Sequence, residues 1–98
     1  MDFSKLVNMI PESKRQPLSD KLVDFILTSK SDDKMPSALA HTLLHYWQRN
    51  LLESEHGLHA LLEASVLLEP EKTLVAFNEL QLANIADEIR AEMKSYRR

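Results

Sequence analysis

Ninety-eight residues make one domain of ordinary size, and 44% hydrophobic with 28% charged residues fits a globular chain rather than a disordered one. A single glycine and four prolines argue against a sandwich or barrel built on many tight turns, and the absence of cysteine excludes disulfide frameworks, thiolate zinc sites and thiol catalysis. The formal charge of -3 argues against a nucleic-acid partner of the usual basic kind.

No apolar run approaches the roughly 18 residues that cross a bilayer, and the N-terminus lacks a basic-then-apolar leader. The expectation is a cytoplasmic all-α protein with no membrane partner, forming one domain over residues 1–98.

Prolines organise the chain, because each lacks an N–H donor and biases its predecessor away from helix. Phe3, Leu6, Val7 and Ile10 form the apolar face of a short first helix, with Asp2 or Ser4 as a cap and Pro11 as its end. Leu18, Leu22, Val23, Phe25, Ile26 and Leu27 predict a second helix over about 17–29. The polar run 29–34 follows as an exposed loop. Pro36 suits the first turn of a third helix, and no outright breaker appears before Leu68. Gly57 is its weak point, costing about 1 kcal/mol against Ala in a helix interior. Unbroken, that helix would be about 50 Å long, so a kink near Asn50 or Gly57 is an open alternative. After Pro70, a fourth helix is expected over 71–95 with Leu74, Val75, Leu82, Ile85, Ala86, Ile89 and Met93 on one face. The expected architecture is a four-helix arrangement with a long C-terminal helical hairpin, completed as a dimeric bundle because the hairpin presents more apolar surface than two short helices cover.

Charge balances over residues 1–34 and over 71–98, so the whole net charge falls in 35–70, where Glu53, Glu55, Glu63 and Glu69 stand against Arg49. The same segment holds all four histidines. On a continuous helix, His41, His45, His56, His59 and Glu63 share a narrow stripe opposite the apolar face centred on Leu43, Leu44, Trp47, Leu51 and Leu58. A solvated polar face accounts for such a stripe. Metal binding is the sharper alternative. His41 and His45 have the i, i+4 spacing that grips one ion, and His56, His59 and Glu63 supply a second set. The two sets lie about 22 Å apart along a straight helix, so a zinc site needs an antiparallel partner chain to bring them together. Protonation of the four histidines would reverse the sign of the segment's charge, which would make an interface on the stripe respond to pH.

The stretch Arg49-Asn-Leu-Leu-Glu-Ser-Glu-His56 is similar to the Arg, polar residue, spacer, His pattern of HEPN-domain ribonucleases. The resemblance covers eight residues and implies an all-α dimer whose cleft acts on RNA, with His56 as the acid–base group and Arg49 on the phosphate. Other catalytic patterns are missing: one glycine cannot build a nucleophile elbow, a phosphate loop or a dinucleotide fingerprint. The primary expectation is a non-catalytic helical module, without cofactor, that homodimerises or binds a protein partner. Trp47, Leu51, Leu52 and Leu58 are its candidate interface residues, with Trp47 otherwise expected in the core and Tyr46 at the margin of the apolar face.

Overall fold

The computed structural model describes residues 3–29 and 35–96, with side-chain surroundings through residue 94. Asp2, most of the expected loop over 29–34 and the last two arginines lie outside the described residues. Among the described residues there are six α-helices and no strand: α1 (Ser4–Met9), α2 (Glu12–Thr28), α3 (Ser37–Gln48), α4 (Glu55–Leu68), α5 (Pro70–Glu79) and α6 (Ala83–Tyr96). The all-helical class stands as expected. The helix count differs, because both long helices of the expected hairpin are each two helices.

The two breaks have one physical cause. At the end of α3, Asn50 adopts φ 55°. Its N–H donates to the Trp47 carbonyl at 3.1 Å, and the Leu51 N–H donates to the Tyr46 carbonyl at 2.8 Å. At the end of α5, Gln81 adopts φ 63°. Its N–H reaches the Asn78 carbonyl at 3.1 Å, and the Leu82 N–H reaches the Phe77 carbonyl at 2.8 Å. These paired bonds define Schellman motifs, which satisfy the last carbonyls of a helix and turn the chain away. The left-handed position is usually glycine; here it is Asn and Gln, so the sequence carries no conspicuous stop signal.

Smaller differences have local reasons. α1 begins after Phe3, whose side chain makes no capping bond, and Ser4 lies inside the helix. α2 begins directly after Pro11 and carries Pro17 in its interior. Pro17 and Ser13 are both exposed, so the carbonyl that Pro17 cannot bond faces water. Pro36 occupies the position before α3 rather than its first turn.

α4 is the central element. Gly57, Leu58, Ala60, Leu61, Leu62, Ala64, Ser65 and Val66 are buried, so the helix is covered nearly all round, as its near-continuous apolar sequence requires. Phe3 just before α1, Leu6 and Val7 of α1, Leu18 and Leu22 of α2, Phe77 of α5, and Ile85 and Ile89 of α6 complete one core around it. Small residues at 57, 60 and 64 let neighbouring chain come close to α4. The hairpin around Pro70 is fixed by a buried pair: the Thr73 hydroxyl donates to the Glu69 carbonyl at 2.7 Å, which leaves Ser65 to donate its own hydroxyl to Thr73 Oγ1. At the surface, Lys21 Nζ meets Glu79 Oε2 at 3.2 Å and ties α2 to α5. As an exposed pair it is worth about 0–1 kcal/mol.

Candidate functional site

α3 departs from the pattern of the other helices. Its sequence, Ser-Ala-Leu-Ala-His-Thr-Leu-Leu-His-Tyr-Trp-Gln, contains no Asp, Glu, Lys or Arg, yet none of its residues is buried. It lies against α4, with Leu43 half-buried on the core. The other side of its apolar face borders an open groove of about 340 Å³ between α2 and α3, floored by Leu61 of α4. Val23 and Ile26 form one wall, Leu43 and Trp47 the other. Every side chain lining this groove is apolar. Around its rim, Leu27 is 78% exposed, Trp47 62% and Leu44 46%. Covering one such side chain fully is worth about 1.5–3 kcal/mol, so the uncovered ridge forgoes a substantial stabilisation.

Trp47 also stands at the edge of a second, polar depression of about 380 Å³, where Gln16, Asp20, Asn50 and Glu53 gather beside Val23 and Leu52. The apolar groove is thus bordered at Trp47 by polar and charged groups.

The expected interface residues divide. Trp47 belongs to the exposed ridge and not to the core. Leu51 is 41% exposed on the connection after α3, and Leu52 is half-buried between both grooves. Leu58 has 0% exposure and packs in the core, so in this fold it is a structural residue. The reason is the break at Asn50: a continuous helix would carry the phase of Trp47 and Leu51 on to Leu58, whereas the Schellman turn resets it. Tyr46 is half-buried, its ring 5.5 Å from that of His45 in an edge arrangement.

The histidine stripe is split by the same turn. His41 and His45 are exposed on α3, and His41 Nδ1 is 2.8 Å from the Ser37 carbonyl one turn back, so that nitrogen donates within its own helix. His56 is exposed in the first turn of α4, while His59 is half-buried with its ring 6.5 Å from Phe3. Glu63 is half-buried one turn further along α4. Among the described residues, no three His, Asp or Glu side chains converge on a site for one metal ion. Arg49 and His56 flank the connection 49–54, Arg49 at the end of α3 and His56 at the start of α4, and both are exposed.

That connection is shaped by Gly57. Ser54 caps α4, its Oγ accepting the Gly57 N–H at 3.1 Å and donating to the Leu51 carbonyl at 2.5 Å. A Cβ on residue 57 would stand 2.1 Å from the Leu51 carbonyl oxygen and within 3 Å of two Leu52 backbone atoms. The glycine is therefore required for close approach of the chain that aims α3 and its tryptophan. Sequence reasoning read the same glycine as a weak point in a helix.

No described helix is long and apolar enough to cross a membrane. Comparison with known proteins finds no matching family model, no matching curated protein and no matching solved structure.

Proposed function

We propose that this protein is a non-catalytic protein-interaction module whose α3 ridge and adjoining groove receive an apolar helix of another chain. The observation that carries this reading is α3 itself, a helix with no charged side chain and no buried residue, lying beside a groove with an entirely apolar lining. Contiguous exposed apolar surface of this kind marks a contact surface on a small soluble domain. Its dimensions suit a helix laid in a groove, read through side chains spaced three and four residues apart. The lining offers no titratable or nucleophilic group with which to move a proton or attack a substrate, so binding rather than reaction is the activity it supports.

The test is site-directed photocross-linking in cells. A photoreactive phenylalanine analogue at position 44 should give one discrete adduct, which disappears when Trp47→Glu is added. The same analogue at exposed Asn84, on α6, should give none. No adduct at 44, or equal adducts at both positions, would refute the reading.

A further inference from the structure

We propose that the groove's occupant is a second copy of this chain. The two α3 helices pack antiparallel about a two-fold axis passing between Leu43 and Leu44, with Ala40 of each protomer facing Trp47 of the other. This rests on the reading above that the α3 ridge is an interaction surface, and it names the partner.

The first argument is spacing. Ala40, Leu43, Leu44 and Trp47 are the α3 residues that border the groove. They stand symmetrically about the midpoint between 43 and 44. An antiparallel two-fold therefore sets Leu43 and Leu44 each beside its own copy at the axis, and Ala40 against Trp47. The smallest residue of the ridge is thus opposite the largest, the alternation by which facing layers interdigitate without voids. Both Ala40 and Trp47 are exposed, so each is available to the other.

The second argument is charge. A two-fold axis brings each group near its own copy, so a formal charge close to it would meet its like. α3 is the one helix among the described residues that carries no Asp, Glu, Lys or Arg. A different partner would ordinarily be steered and discriminated by complementary charges, and α3 itself carries none to complement. The acidic groups nearby, Asp20 and Glu53, line the polar depression beyond Trp47, away from the proposed axis. The contact is short, since a 12-residue helix is about 18 Å long. It falls at the small end of specific interfaces, so a concentration-dependent dimer in the micromolar range is expected.

The experiment is sedimentation of the full chain and three variants from micromolar to millimolar concentration. Wild type should approach twice 11.3 kDa at the upper end. Ala40→Trp sets Trp against Trp and Trp47→Ala sets Ala against Ala; each should weaken dimerisation about 30-fold or more. The exchange Ala40→Trp with Trp47→Ala restores small against large and should return the dissociation constant to within about threefold of wild type. Because the chain has no cysteine, Leu44→Cys should form an intermolecular disulfide on mild oxidation while Asn84→Cys does not. A dimer indifferent to the single substitutions, an exchange without recovery, or equal cross-linking at 44 and 84 would overturn the proposed pairing. Wild type remaining monomeric would overturn it too. If the position-44 photoadduct to another protein then persisted, the interaction reading would stand without self-pairing; if it were also absent, both would fall.

Discussion

Replacing Gly57 by Ala opposes two effects of different sign. On helix propensity alone, Ala in the first turn of α4 should stabilise by up to about 1 kcal/mol. The structure predicts the reverse. The new Cβ would sit 2.1 Å from the Leu51 carbonyl oxygen, so that oxygen must retreat by about 1.3 Å before the contact becomes ordinary. It is not free to do so. The same oxygen accepts the Ser54 N–H at 3.1 Å and the Ser54 hydroxyl at 2.5 Å, and Ser54 in turn caps α4. Relief of the clash therefore costs the cap, about 1 kcal/mol, on top of about 1–3 kcal/mol for overpacking against backbone. The net expectation is destabilisation by about 2 kcal/mol, or a fall in Tm of about 8–16 °C for a domain of this size. Urea unfolding followed by far-ultraviolet circular dichroism measures it, because Trp47 is too exposed to report on the core. A Gly57→Ala variant as stable as wild type, or more stable, would refute the argument that close approach rather than helix propensity fixes residue 57.

Gln81→Gly should stabilise by about 0.5–1 kcal/mol, since a non-glycine residue at φ 63° is strained and glycine's entropy cost takes back part of the relief; thermal unfolding reads the sign. Thr73→Val should cost about 1–3 kcal/mol by depriving the buried Ser65 hydroxyl of its acceptor. Adding Ser65→Ala should recover part of that loss, and strictly additive effects would disprove the coupling. Leu58→Ala should cost about 2–5 kcal/mol in chemical denaturation while leaving the position-44 photoadduct intact in the folded protein, the opposite of Trp47→Glu.

The sequence made the helical class legible because its apolar residues recur with helical spacing, and because Pro11 and Pro70 stop helices for reasons independent of tertiary structure. The break at Asn50 agrees with the kink that helix length leaves open near Asn50 or Gly57, whereas the break at Gln81 was not legible in the same way. A Schellman turn is normally announced by glycine, and at Asn50 and Gln81 the tertiary gain of burying Leu58 and Leu82 outweighs the local strain of a left-handed residue. Periodicity carried across those turns then placed residues wrongly. Trp47 and Leu58 share a face only on a continuous helix; across the turn one is on the surface and the other in the core. The histidine stripe failed as a continuous feature for the same reason. Trp47 remains at the candidate surface because it lies before the turn, and Leu51 and Leu52, inside the connection 49–54, remain exposed and half-buried respectively. Leu44 and Leu27, which complete the ridge, were missed: Leu44 was assigned to the core face, and the exposure of Leu27 depends on α3 lying beside α2 without covering it.

α3 ties stability to function. An isolated helix of about 12 residues is marginal in water, so α3 persists through its packing on α4 and through the Schellman bonds at its C-terminal end. With no buried residue, it should open locally at much lower cost than α4, whose amides should exchange only near global unfolding. Covering the ridge changes that balance, because a partner that binds the folded helix and not the opened one stabilises it in proportion to occupancy. Amide hydrogen exchange on the wild-type chain should therefore show α3 as weakly protected at low micromolar concentration. Its protection should rise toward that of α4 as concentration passes the dimer dissociation constant, with α6 unchanged over the same range. Protection of α3 equal to that of α4 in dilute solution would mean that the helix is held by its own chain alone. In that event the uncovered face would be a feature of a self-sufficient monomer, and the energetic case for a partner would be lost.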